Sequence, residues 1–362
     1  MTDIDVVVIG GGQAGLAVGY YLRRSQLSYV ILDDQPGPGG SWARTWPSLR
    51  LFSPAQWSSL PGYLMPRTAE EYPSREDVLA YLAEYERRYE LPVERPIKID
   101  AVERGGDHLI VRAGDREWRA RAVVSATGIW ANPIVPSLPG QNDFQGRLIH
   151  SAFYSGADDF VGKSVIVVGA GNSAAQIVAE VSLVAPVKWA TLAPPVFLPD
   201  EVDGRYLFEQ ATARYKAIQE GRTPDPPRSL GDIVAVQSVR DARARGALEA
   251  RPMFERFTKT GVVWPGGTES RADAVIWATG FQPALQHLAP LGVVDASGRV
   301  ETNDTRAIKE PRLWLVGYGN WTGFASATLI GVGRSARATV DSIVAAMTSS
   351  APAPTKDESP RE

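Results

Sequence analysis

Runs of apolar residues, glycine turns and helical spacing follow one another along this chain in one order, twice over. Residues 6–9 are continuously apolar, as expected of a strand buried on both faces of a parallel sheet. Gly10-Gly11-Gly12-Gln13-Ala14-Gly15 follows at once, and then helical spacing through Leu16, Tyr20 and Leu22. A second buried strand over 28–32 ends in Asp33-Asp34. Ser74 and Asp77 form a capping box that opens a helix reaching about residue 90. Short strands at 97–102, 109–111 and 117–119, punctuated by Gly105-Gly106 and Gly114, predict a β-meander, and 122–128 a buried strand closing on Ala126-Thr127-Gly128. The order then recurs: a strand at 165–168, a helix from 172 to about 184, a strand at 187–192, a meander through Phe257 and 262–264, and a strand closing on Ala278-Thr279-Gly280. A strand at 313–317 and a helix over 326–347 complete the pattern, with 205–250 mostly helical.

The repeat predicts an α/β protein of two Rossmann-like dinucleotide-binding domains, each a three-layer ββα unit, the second inserted into the first. The expected division is 1–155 with 271–347 for the first domain, 156–270 for the second, and a disordered tail at 348–362, which is rich in Ser, Pro, Lys and Glu.

Composition narrows the chemistry. The chain has 362 residues and no cysteine, which removes disulfides, thiolate metal sites and thiol redox pairs. A net charge of −3 with mixed signs gives no footprint for nucleic acid. No apolar run approaches the ~18 residues of a membrane span, and the N-terminus lacks a signal-peptide pattern, so a cytoplasmic protein is expected. The ten tryptophans serve either as core or as walls for planar cofactors.

In the first glycine loop, Gly10 allows a tight turn, Gly12 lets the backbone approach a pyrophosphate, and Gly15 lets the helix pack on the strand. The helix start at Gln13 and Ala14 faces the anion with free N–H groups. Asp33, with Asp34 beside it, stands where a carboxylate takes ribose hydroxyls. The second loop, Gly169-Ala170-Gly171-Asn172-Ser173-Ala174, ends in Ala as the fingerprint permits, and Asn172 and Ser173 offer side-chain donors to phosphates. No acid ends the following strand, which favours NADPH and leaves NADH open. Lys188 and Arg205 are read as surface charges rather than as partners of a 2′-phosphate. Of three histidines, His108 and His287 are expected at the surface. His150 lies between the units, either as a general base or as a residue that shapes the linker.

The stretch from Phe144 to Tyr154 matches the motif FxGxxxHxxxY/F in full, Gly39-Gly40-Ser41-Trp42 matches GGxW, and the two Ala-Thr-Gly turns recur at 126–128 and 278–280. On these residues the chain resembles the class B flavin-dependent monooxygenases, which include the flavin-containing monooxygenases, the Baeyer–Villiger enzymes and the plant YUCCA enzymes. Residues 48–61 and 194–205 look nearest to the YUCCA-like and bacterial ArsO-like branches. The resemblance implies FAD on the first loop, NADPH on the second, molecular oxygen as co-substrate, and transfer of one oxygen atom to a small organic molecule through a flavin C4a-(hydro)peroxide. It implies a flavin site including Gly40, Ser41, Trp42, Val102, Ala126, Thr127, Gly128 and Gly317, and a nicotinamide site including Ala278, Thr279 and Gly280. Phe52, Ser53, His150 and Asn320 are the candidate catalytic residues. Aromatic residues of 42–57 and 318–324 point to an apolar or aromatic substrate under a dry lid. Two alternatives stay open: an NAD(P)H:acceptor reductase that does not oxygenate, and a non-catalytic flavin-binding redox sensor. Substrate identity and oligomeric state, a homodimer included, are open as well.

Overall fold

The chain is described here as a computed structural model over residues 2–223 and 232–349. Its first half builds β1 (Thr2–Ile9), α1 (Gln13–Leu22), β2 (Tyr29–Leu32), α2 (Arg75–Arg88), β3 (Val93–Glu94), β4 (Ala101–Gly105), β5 (His108–Ala113) and β6 (Arg116–Ser125). The second unit holds β7 (Arg147–His150), β8 (Val165–Val168), α3 (Asn172–Val181), β9 (Val187–Thr191), α4 (Gly204–Gln219), α5 (Gln237–Ala244) and β10 (Ala250–Pro252). It continues through β11 (Arg256–Thr258), β12 (Gly261–Val263), β13 (Glu269–Arg271) and β14 (Ala274–Trp277). The chain returns with β15 (Thr302–Asn303), β16 (Arg306–Ala307), β17 (Leu313–Leu315) and α6 (Val332–Ser349).

The first sheet runs β15-β16-β17-β6-β1-β2-β3, and the β4–β5 hairpin joins it through β6. The second runs β10-β9-β8-β14-β7, and β11–β13 form a separate three-stranded sheet. Strand alternation explains why both units have three layers. Val6, Val8 and Val124 face α1, α2 and α6, while Val7, Ile9 and Val123 face the hairpin and the segment around Leu285 and Leu288. In the second unit Val165 and Val167 face α3 and α5, whereas Ile166 and Val168 face Phe254, Phe257 and Trp264. Trp189, Trp277 and Trp314 are fully buried, which settles those three tryptophans as core.

Some expectations shift. The meander strand at 117–119 and the buried strand at 122–125 are one ten-residue strand, because β6 pairs antiparallel with β5 over 116–120 and parallel with β1 over 118–125, the two ladders overlapping at 118–120. The closing helix starts at Val332, not 326: Ala325 takes φ +57 and Gly323 φ +121, so the chain turns there. It runs to Ser349, which makes 348–349 helical; the expected disorder beyond lies outside the described residues. Between 205 and 250, α4 and α5 are present, and 224–231 lie outside the described residues.

The crossings between the units run side by side. Backbone N–H groups of Ala284, Gln282 and Ile134 donate to the carbonyls of Gly128, Asn132 and Gly280 at 2.9, 2.8 and 3.0 Å. Since β7 and β14 both complete the second sheet, we place the exchange between units at 128–134 and 280–284, outside the boundaries expected at 155 and 271.

Candidate active site

The strand β1 ends at Ile9, and the next residue turns sharply. Gly10 takes φ +106, its N–H donates to the Leu32 carbonyl at 2.7 Å, and it lies against the Ala126 carbonyl. Gly15 faces the Gly10 carbonyl so closely that only a hydrogen fits between them. Gly12 is the N-cap of α1 and has no side-chain cap, so the first N–H groups of the helix are left for an anion. A cleft of about 400 Å³ opens there. It brings together Gly10, Gly12, Gln13, Ala14, Asp33, Asp34, Gly40, Ser41, Trp42, Ala126, Thr127, Gly128 and Gly317. Gly40, at φ +53, lies against Gly12, and Gly317, at φ +91, against Ala14, so both close approaches exclude a side chain. Gln13 accepts from Trp42 Nε1 at 3.3 Å and donates to the Ala327 carbonyl at 2.7 Å, fixing one wall to the turn before α6.

Two expected members lie elsewhere. Gly15 acts through packing behind the loop, and Val102 is wholly buried in β4, paired with Val111 and packed in the core. The cleft also recruits residues that no motif announced: Gln35, Arg44, Ile97, Lys98, Ile99, Trp130, Gln286 and His287. At one end, Arg44 Nε donates to Gln35 Oε1 at 2.8 Å and its Nη2 lies 3.4 Å from Asp34.

His287 corrects the expectation of a surface residue. It is 6% exposed, because Leu285, Leu288 and Leu291 of the same segment dock into the core against β4 and carry it inward. Its Nε2 lies 3.1 Å from Ser125 Oγ; Ser125 Oγ lies 2.6 Å from the Tyr318 hydroxyl, and that hydroxyl 2.8 Å from Thr127 Oγ1. Thr127 donates from Oγ1 to the Ala284 carbonyl at 2.7 Å and from its backbone N–H to Tyr318 at 3.2 Å. This buried chain underpins the Ala-Thr-Gly turn at the floor of the cleft. Burial pushes the His287 imidazole down to about 4 and holds the Tyr318 phenol above its ordinary value. His108 is half-buried rather than exposed, beside Asp107 and Arg119.

The second loop repeats the first. Gly169 takes φ +139 against the Ala278 carbonyl, its N–H donates to Ala190 at 3.0 Å, and Gly171 is the uncapped N-cap of α3. Ser173 is half-buried in the first turn, and Ala174 is buried where Gly15 stands in the first unit. By these hydrogen bonds Leu32 corresponds to Ala190, so Thr191 stands where Asp33 does. The Asn172 side chain points away from a phosphate role: it accepts from Val234 N–H at 2.9 Å and donates to the Asp232 carbonyl at 3.0 Å. Thr279 is bound to the Ile134 carbonyl, and Gly280 takes φ +84 with open space around it. Lys188 donates to Ser270, and Arg205 pairs with Asp203.

Of the candidate catalytic residues, His150 has both nitrogens engaged. Nε2 donates to the Gly280 carbonyl at 3.1 Å, Nδ1 accepts from Ala152 N–H at 3.1 Å, and Phe281 meets the ring edge-on at 4.9 Å. Burial lowers its pKa. At the ends of the same motif, Phe144 lies over Gly146, and Tyr154 stacks on Phe160 and meets Trp46 of the first unit. Ser53 is buried and bonded to Ser58 at 2.8 Å. Phe52 packs against the second unit, its carbonyl accepting from Gly204 N–H at 2.7 Å. Asn320 is exposed, in the turn after β17. Neither Phe52, Ser53, His150 nor Asn320 lines the glycine-loop cleft.

Residues 7–189 match the pyridine nucleotide-disulphide oxidoreductase family. A flavin-containing monooxygenase from Stenotrophomonas maltophilia superposes with a TM-score of 0.88 at 51% identity, over 96% of this chain and all of that one. An uncharacterised oxidoreductase CzcO of Bacillus velezensis is 28% identical over 92% of this chain and 96% of its own length. The indole-3-pyruvate monooxygenase YUCCA4 of Oryza sativa subsp. japonica is 28% identical over 76% and 74%. With no cysteine, the chain cannot run the thiol–disulphide relay in the family's name. Two glycine-loop units, a cleft at the first and this set of relatives together make the chain a member of the pyridine nucleotide-disulphide oxidoreductase family, among its flavin monooxygenases.

Proposed function

We propose that the protein is an FAD-dependent, NADPH-oxidising monooxygenase that transfers one atom of O2 to a small, apolar or aromatic organic substrate. The observation that carries this reading is the duplicated turn, Gly10 on Ala126 and Gly169 on Ala278, which offers two anion-binding helix starts in one chain. The residues fit FAD at the first: α1 is uncapped, and a Cβ on Gly12 would meet no protein atom nearer than 3.7 Å, so the space in front of it is available to a phosphate. When bound, the flavin supplies the redox and oxygen chemistry and the nicotinamide the hydride.

The chain's own residues bind, orient and exclude water. The N–H groups at the start of α1 take the pyrophosphate, Asp33 takes ribose hydroxyls, and Gly40-Ser41-Trp42 closes the cleft beside Gly12 and Gln13. The start of α3 takes the second pyrophosphate through backbone N–H groups rather than through Asn172, whose side chain is committed to 232–234. With no acid at Thr191, NADPH is preferred and NADH is admitted. His150 moves no proton; it ties the end of β7 to Gly280 in the returning crossing.

The test is a balance of NADPH oxidised, O2 consumed and peroxide released, measured with the purified protein over a panel of apolar sulfides, amines and ketones. Oxygenated product formed at the expense of peroxide supports the reading. Peroxide equal to NADPH with every compound, together with fast reduction of a quinone, supports a reductase instead.

A further inference from the structure

Arg95 is a buried guanidinium that the proposed chemistry does not use. It follows β3, and its side chain is one-tenth exposed behind the end of β2. Nη1 and Nη2 grip the two oxygens of Glu86 on α2 at 2.7 and 2.8 Å. Nε donates to Asp33 Oδ2 at 2.7 Å, and Nη2 reaches the Gly11 carbonyl at 3.5 Å. Such a buried cluster is expensive to desolvate, and apolar residues of the same volume often serve stability as well or better. Stability alone therefore does not account for it, and its geometry does more.

Asp33 lines the cleft, and its Oδ2 is the oxygen that Arg95 holds. Oδ1 makes no hydrogen bond among the described residues. Gly11 leaves room for the pair: a Cβ there would lie 2.9 Å from Arg95 Nη2 and 2.9 Å from Asp33 Cβ and Cγ. Asp33 takes a single bond, from the Nε–H of a guanidinium whose fork is fixed on Glu86, so its bonded oxygen has a fixed partner and the other is turned towards the cleft.

We propose that Arg95, neutralised by Glu86, is a positioning residue that fixes Asp33 as a rigid acceptor for the adenosine ribose hydroxyls, so that the first cleft selects a dinucleotide with a free 2′-hydroxyl. A 2′-phosphate would face the Asp33 charge, with the neighbouring guanidinium already committed to Glu86. This rests on the reading that the first cleft takes FAD.

The experiment compares apoprotein binding of FAD and of FAD lacking the adenosine 2′-hydroxyl, followed by flavin fluorescence. Arg95→Met alone leaves two buried carboxylates without their counter-charge. The informative variant is therefore Arg95→Met with Glu86→Met, and Arg95→Lys is a second test should the pair not fold. The parent binds the 2′-deoxy analogue about tenfold or more weakly; the double variant binds FAD about 10- to 100-fold more weakly and no longer distinguishes the two ligands. Arg95→Lys, with a point charge in place of a fork, loses part of the discrimination. A variant that keeps both the affinity and the discrimination overturns the role of Arg95. A parent that binds FAD but does not discriminate overturns the selection. A parent that takes up no FAD overturns the flavin assignment itself, and this inference with it.

Discussion

Gly10 lies so close to Ala126 that a Cβ on it would sit 2.6 Å from the Ala126 carbonyl oxygen. Two residues on, Gly12 has an ordinary φ of −81 and no protein atom within 3.7 Å of the same added carbon. The two glycines therefore fail differently. Gly10→Ala adds a clash and backbone strain of roughly 1–3 kcal/mol and lowers the melting temperature of the apoprotein. Gly12→Leu melts close to the parent but retains no flavin. Thermal melts beside flavin absorbance separate the two, and a yellow, stoichiometrically loaded Gly12→Leu protein would sink the assignment of the first loop.

His287 gives stability an acid-sensitive component. Its folded value of about 4 lies below the ordinary 6.5, so the unfolded chain takes up the proton first as pH falls. Its contribution is complete above about pH 6.5 and is lost progressively towards pH 4, amounting to about 3 kcal/mol. His287→Gln flattens this part of the profile while leaving a group able to meet Ser125. Denaturant unfolding from pH 7 to 4.5 measures the difference, and parallel curves for parent and variant would refute it.

With both ring nitrogens of His150 occupied, no position is left for a proton in transit. His150→Ala is expected to lower stability by about 1–3 kcal/mol, because the Gly280 carbonyl and the Ala152 N–H lose their partner. The pH dependence of kcat is expected to keep its shape. Loss of a titrating limb in the variant would restore His150 as a base.

Leu192 follows Thr191 at the end of β9 and is 92% exposed. Leu192→Arg supplies the cation that a 2′-phosphate wants there and lowers KM for NADPH with little change for NADH. Thr191→Asp, at the place matched to Asp33, does the converse. Steady-state kinetics with both nucleotides decide; unchanged ratios in both variants would move the ribose site elsewhere on the second unit.

The two units were legible because their strands are apolar on both faces and their turns are marked by glycines that nothing else can replace. Gly10, Gly15 and Gly169 each face a carbonyl that a Cβ would strike. The side chains that complete the sites were less legible. Arg95 and Glu86 come from a strand end and a helix far from the loop, and neither has a local signature. His287 read as a loop residue because its burial depends on Leu285, Leu288 and Leu291 docking against a distant hairpin. Asn172 was well placed to donate to a phosphate, yet its amide fits the backbone at 232–234, a contact that no spacing rule contains.

The Gly128 carbonyl accepts from Ala284 N–H at 2.9 Å, where the chain departs for the second unit and where it comes back. The host sheet is thus already stitched shut at the doorway, and everything from there to the return is a guest with both ends in one place. A short tie from 128 to 284 would bridge no gap. What binds the guest to its host, beyond the doorway, is the packing of Trp46 and Phe52 against the second unit.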